Sequence, residues 1–180
     1  MNRLQKASII SELVVHLREH GSWSGETHVQ KATFFLQEAA GVPTGFTFIL
    51  YKHGPFSFDL RDDLVSLRAD GIFELESRPY PYGPSLVPTD SSSRLRGRFP
   101  KTLKRYEKQI ERVAAELGGR NVLELEQLST ALYVVSKDDR LLADEAAREI
   151  VALKPHISNE LARAAVQEVR RFLESTPSAT

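Results

Sequence analysis

The feature that most constrains this chain is a series of apolar stripes at helical spacing that fills its second half. Tyr106, Ile110, Val113, Ala114 and Leu117 form one stripe, stopped by Gly118-Gly119. Val122, Leu125, Leu128, Leu132 and Val135 form the next, residues 141–153 follow up to Lys154-Pro155, and Leu161, Ala165, Val169, Phe172 and Leu173 make the last. Side chains recurring every three or four residues share one buried face only on an α-helix, so this half reads as a helical bundle.

The first half is punctuated differently. Residues 3–19 carry Ile9, Ile10, Leu13, Val14 and Leu17 as a helical stripe before Gly21, and residues 26–40 carry Val29, Ala32, Thr33, Leu36 and Ala40 before Gly41. Alternation over residues 46–51 predicts a strand. His53-Gly54-Pro55 reads as a tight turn, because glycine accepts positive φ and proline fixes its own, and Ser57 stands as N-cap of a helix with Leu60, Leu64 and Leu67 inward and Gly71 at its end. Residues 72–76 and 86–87 read as short strands joined by Pro79-Tyr80-Pro81-Tyr82-Gly83-Pro84. Helix, helix, strand, helix, strand, loop, strand is the winged-helix order, with residues 78–84 as the wing and 57–70 in the recognition-helix position. The expected fold is mostly α with a small β component: a winged-helix-like lobe over 1–90, a helical lobe packed on it over 91–174, and a frayed tail over 175–180. The proline-rich turn and Thr89-Asp90-Ser91-Ser92-Ser93 mark the seam, the serines serving as caps or turns.

Composition sets the function classes. With 41% apolar and 27% charged residues the chain is neither collagen-like, coiled-coil nor fully disordered. Its 24 basic and 24 acidic side chains cancel, which argues against a strongly basic nucleic-acid coat but leaves room for a local patch. Cys is absent, so disulfides, a thiol nucleophile and Cys-based metal sites are excluded. No run approaches the roughly 18 apolar residues of a membrane span. The N-terminal stretch is broken by Glu12 and lacks a small-residue cleavage site, so it reads as an ordinary helix of a cytoplasmic protein.

Val29-Gln30-Lys31-Ala32-Thr33-Phe34-Phe35-Leu36, residues 46–51, Gly54-Pro55-Phe56-Ser57 and Leu60 together resemble the YwgA-like and Panacea-type proteins, which share a "QK…Y/F-F" helix, a strand and a "GP-aromatic-S" turn. Leu132-Tyr133, Asp144-Glu145-Ala146 and Leu153-Lys154-Pro155-His156-Ile157-Ser158 are similar to the helical tail of YwgA-like proteins. The resemblance implies a small winged-helix-derived, mostly helical protein. Panacea-type members are associated with prokaryotic toxin–antitoxin systems as antitoxins or adaptors; the resemblance supplies no catalytic residue.

The charge pattern directs attention away from the recognition-helix position. Residues 57–70 carry Asp59, Asp62, Asp63 and Asp70 against Arg61 and Arg68, a poor match to a line of phosphates. The adjoining segment 94–108 is the opposite: Arg94, Arg96, Arg98, Lys101, Lys104, Arg105 and Lys108 face only Glu107, a net charge of 7 − 1 = +6. On a helix Lys101, Arg105 and Lys108 share one face with Lys104 beside them, an arrangement fit for nucleic-acid phosphates or an acidic protein surface, or simply a solvated helix start.

Other ingredients of chemistry are incomplete. His16 and His20 sit one turn apart with Glu12 a turn earlier, but the HExxH signature is missing and His28 and His53 could join them only through tertiary folding, so a polar helix flank is expected. Ser57, His53 and Asp59 crowd one turn without an oxyanion motif, and Ser57 already has a capping role. Gly118-Gly119 lacks the Lys-Ser/Thr of a phosphate loop and reads as a helix stop. Among aromatics near turns, Trp23 and Phe56 are expected to seal the core, and Tyr80 and Tyr82 to anchor an interface. The expectation is a non-catalytic, cofactor-free and metal-free partner-binding protein: an antitoxin or adaptor of a prokaryotic toxin–antitoxin or defence module, meeting a protein partner and no membrane. The alternative is a winged-helix DNA-binding transcriptional regulator that uses segment 94–108 and the wing.

Overall fold

In the computed structural model, which describes residues 1–176, the chain is mostly α with two small antiparallel hairpins. The elements run α1 (Arg3–Glu19), α2 (Glu26–Glu38), β1 (Ile49–Tyr51), β2 (Gly54–Phe56), α3 (Phe58–Ala69), β3 (Phe73–Glu76), β4 (Ser85–Pro88), α4 (Asp90–Gly97), α5 (Pro100–Leu117), α6 (Val122–Lys137), α7 (Ala143–Leu153) and α8 (Asn159–Ser175). Side chains start several helices by accepting from amides that a first turn leaves unpaired: Asn2 with Gln5, Ser57, Thr89, Asn121 with Glu124, and Ser158. Of the tail, Ser175 ends α8 and residues 177–180 lie outside the described residues. No described helix is long and apolar enough to cross a membrane.

α1 buries two faces at once. Ile9, Leu13 and Leu17 join a core built with α2, α5, α6, α7 and α8, while Ala7, Ile10 and Val14 join a second core with Val29, Phe46, α3, β3, β4 and Leu95. Phe48 is packed against both. Each fully buried Leu or Ile contributes about 1.5–3 kcal/mol, so this burial does much to tie the first half to the second through α1.

The hairpins correct several sequence expectations. Regular pairing over 46–51 is confined to Ile49–Tyr51, because the Phe46 backbone is taken by a side chain: Phe46 N–H donates to Gln37 Oε1 (2.9 Å) and Gln37 Nε2 donates to Phe46 O (3.0 Å). Gly54 and Pro55, expected in a turn, belong to β2, which pairs with β1 in the register Ile49↔Phe56, Leu50↔Pro55 and Tyr51↔Gly54. Gly54 does take positive φ (+85°). The proline-rich turn connects β3 to β4, whose register is Phe73↔Pro88 to Glu76↔Ser85, and a Gly25↔Ser85 bridge lays the α1–α2 connection along β4. The serine run lies inside the extra helix α4, with Thr89 as its cap. Helix 26–40 ends at Glu38 and helix 141–153 begins at Ala143, where Glu145 reaches back to the Leu142 N–H.

Candidate functional site

Segment 94–108 spans the end of α4 and the first half of α5. Arg94, Arg98, Lys101, Lys104, Arg105 and Lys108 are all exposed. Within the described residues none of Arg94, Arg98, Lys101, Lys104 and Lys108 forms an ion pair; Arg94 instead donates to Ser91 Oγ (2.7 Å), and Arg105 lies over the Tyr106 ring. Arg96 departs from the expected set. It turns inward, donates to Glu12 Oε2 (2.8 Å) and ties α4 to α1, which removes it from the face.

The start of α5 is unusual in its own right. Its N-cap Phe99 offers no side-chain hydrogen bond and its first turn holds no acidic residue. A helix N-terminus already carries partial positive charge, so Lys101 and Lys104 placed there oppose the helix dipole. Local stability would favour Asp or Glu at these positions. The cations concentrate positive potential instead of cancelling it, and Arg98 adds to it from the preceding cap.

Beside this face lies an apolar groove of about 360 Å³. Its walls include Leu4, Ala7, Leu67, Ile72 and Leu95, and Arg3, Arg94 and Arg98 stand among its lining residues. Leu4 is 42% exposed. Arg3 is engaged by Asp70 at 3.2 Å. The groove arises because α1 begins, α3 ends and α4 crosses at one place. It unites an apolar anchor point with free cations, a juxtaposition that reading segment 94–108 alone did not reveal.

The other aromatic and acidic features sort as follows. Tyr80 is 98% exposed at the β3–β4 turn, and Tyr82 is 56% exposed with its ring against Trp23 at 5.0 Å. Trp23 does not seal the core: it is 48% exposed, carried outward by the α1–α2 connection. Phe56 is partly buried among Tyr51 and Phe58. On α3, Asp59 and Asp62 are exposed, Asp63 is partly buried, and Asp70 is drawn toward Arg3.

The histidines are held by carboxylates and carbonyls. His16 Nδ1 and His20 Nε2 meet the two oxygens of Glu111 at 2.6 and 2.9 Å, joining α1 to α5, and His16 Nε2 lies 3.5 Å from Glu12. Hydrogen bonding to Glu12 and then Glu111 outweighs burial and raises the His16 pKa to about 9, while the same contacts hold Glu12 and Glu111 below the usual carboxylate range. His28 donates from Nε2 to Leu117 O and accepts at Nδ1 from Ser22 Oγ, both at 2.9 Å; burial pushes its pKa down to about 4. No three His, Cys, Asp or Glu side chains among the described residues are arranged to hold a metal ion. Ser57 is fully buried and its Oγ accepts from Leu60 N–H (3.2 Å), whereas the His53 side chain is 68% exposed and lies 3.9 Å from Glu126. Ser57, His53 and Asp59 therefore do not assemble as a triad. Gly118, which follows the last residue of α5, is a glycine for a reason of space: a Cβ there would lie 2.4 Å from the His20 Cβ.

Sequence reasoning missed a buried charge cluster under the β1–β2 hairpin. Lys31, 2% exposed, donates from Nζ to Pro55 O (2.6 Å). Lys154 donates to Tyr51 O (2.7 Å) and to Lys52 O, and its Nζ lies 3.3 Å from Glu126 Oε1. Burial, partly offset by Glu126, lowers the Lys31 pKa to about 8. Three distant segments supply these residues, so only the unusual Lys within the apolar run 29–36 could have signalled it. The chain matches no protein-family model and no curated protein.

Proposed function

We propose that this is a non-catalytic partner-binding protein, an antitoxin or adaptor of a prokaryotic toxin–antitoxin or defence module, as the resemblance to YwgA-like and Panacea-type proteins implies. One observation carries the reading. Arg98, Lys101 and Lys104 are exposed, unpaired cations gathered where the N-terminus of α5 has neither cap nor acid, beside an apolar groove. Sites that violate a local stability rule in this manner are where function is expected. Unpaired cations beside an apolar cleft suit an acidic protein surface that inserts one apolar side chain. Opposite charge speeds encounter, and the anchor supplies the buried area that slows dissociation.

A second reading is favoured by the β3–β4 turn. With Tyr80 exposed at its tip, it has the form of a wing, as a DNA-binding regulator would require. Against it stand exposed Asp59 and Asp62 on α3, the helix that would enter the groove.

Co-expression with the product of the adjacent reading frame tests the proposal, alongside titration of random-sequence duplex DNA at several salt concentrations. A stable complex with the neighbouring protein, weakened by salt, and no comparable DNA binding is the expected result. Tight DNA binding that falls steeply with salt, with no protein complex, supports the regulator instead.

A further inference from the structure

A second cavity lies elsewhere, between the α1–α2 connection, α3, the β3–β4 turn and the α5–α6 turn, with a volume of about 570 Å³. That is within the roughly 300–1,000 Å³ of small-molecule sites. Trp23, Tyr82, Val65 and Val122 line it with exposed apolar surface, and Arg61 and Arg68 reach it from α3.

Trp23 is held out on a built pedestal. The residues on either side of it, Ser22 and Ser24, are buried and bonded: Ser24 N–H donates to Ser22 Oγ (2.8 Å), and Ser24 Oγ donates to Leu86 O (2.7 Å). Ser24 adopts φ +50°, a left-handed conformation that a non-glycine residue avoids unless its surroundings enforce it. The indole is then braced by Arg78, whose guanidinium lies 5.0 Å from the ring and is fixed by Glu76 and Ser85, and by Tyr82 standing at 85° to it. Strained backbone and a braced ring that stays half exposed are features of a stacking platform, since core packing would bury the ring.

Charge in the cavity favours an anion. Arg68 has no ion-pair partner among the described residues, and Arg61 has only Glu26 at 3.9 Å. Helix α2 also enters the cavity through Gly25, Glu26 and Thr27, and Gly25 provides no side-chain cap for its first amides. Two arginines beside a helix start match a phosphate better than a neutral group, with Glu26 in the first turn of α2 the one opposing carboxylate in the lining.

We propose that this cavity binds a small ligand in which a flat heteroaromatic ring is joined through a sugar to a phosphate, the chemistry of a nucleoside monophosphate. The ring packs on Trp23 and the phosphate lies toward Arg61, Arg68 and the start of α2. This site is separate from the basic face and stands or falls independently of it.

Trp23 is the only tryptophan, so its fluorescence reports directly on the site. The protein is titrated with AMP, and separately with adenosine, using N-acetyltryptophanamide to correct for absorption. Saturable quenching by AMP with a Kd below about 1 mM is expected, with adenosine at least about tenfold weaker. Arg68→Ala should weaken AMP by a similar factor without affecting adenosine, and Arg68→Lys should retain part of the phosphate preference. Arg68 is exposed, so unchanged melting temperatures of both variants confirm intact folding. No saturable quenching by AMP, equal affinity for adenosine and AMP, or an Arg68→Ala variant that binds AMP like the parent would each overturn the proposal.

Discussion

Gln30 grips both polar groups of the Ser57 peptide: its Nε2 donates to Ser57 O at 2.8 Å, and Ser57 N–H donates to its Oε1 at 2.9 Å. All four groups are buried, and this pair fixes the β2–α3 junction against α2 just as Ser57 Oγ starts α3. The adjacent Lys31 donates to Pro55 O, so consecutive residues of α2 clamp alternate residues of the β2–α3 junction. The Gln-Lys pair and the Gly-Pro-aromatic-Ser run are thus two halves of one contact.

Replacing Gln30 with Leu keeps the volume but leaves the Ser57 amide buried without a partner; the carbonyl keeps the Arg61 N–H. A loss of about 1–3 kcal/mol in denaturant unfolding is expected. Stability equal to the parent would show that the clamp contributes nothing.

Gly54→Ala meets two obstacles. The backbone is at φ +85°, and an added Cβ would stand 2.9 Å from Ser129 Oγ and 3.3 Å from Thr130 Oγ1. The expected destabilisation is at least about 1 kcal/mol, read as a lower melting temperature. An unchanged melting temperature would contradict it.

Much of this was legible in the residues themselves. The stripes of α1, α5, α6 and α8, the Ser57 cap and the glycine at position 54 followed from helical period and local backbone rules. β2 was not legible, because Gly54 and Pro55 are strand breakers by propensity and form a strand only because Lys31 and Lys154 hold the hairpin carbonyls from below. Arg96 looked identical to its basic neighbours; only the packing of α4 on α1 aims it at Glu12. The apolar groove likewise needs three helices from distant parts of the chain.

The buried cluster makes Glu126 the sole carboxylate among the described residues in contact with Lys154. Glu126→Gln leaves the buried Lys31 and Lys154 ammonium groups without its charge, and a loss of about 3 kcal/mol at neutral pH is expected from urea unfolding. A loss below about 1 kcal/mol would mean that the hairpin carbonyls alone satisfy both lysines.

Two histidines shape the pH dependence in opposite directions. His16 has a folded pKa near 9, above its unfolded 6.5, so its stabilisation is complete below 6.5 and is lost as pH rises from there to about 9. His28 has a folded pKa near 4, so the unfolded chain binds the extra proton between 6.5 and 4, and stability falls as pH drops through that window. Melting temperatures across pH should therefore decline less on the alkaline side in His16→Gln, and less on the acid side in His28→Gln. Parallel profiles for parent and variants would contradict both assignments.

The central claim is that the basic face on α4 and α5 is the partner contact, and charge reversal of Arg98, Lys101 and Lys108 to Glu addresses it most directly. All three are exposed and free of ion pairs within the described residues, so the melting temperature should be retained, or rise slightly because Glu at position 101 suits the start of α5. The complex with the co-expressed neighbouring protein should be lost, chiefly through slower association and less so at high salt. A triple variant that binds its partner as the parent does, while Asp59→Ala with Asp62→Ala abolishes binding, would contradict the account and move the interface to α3.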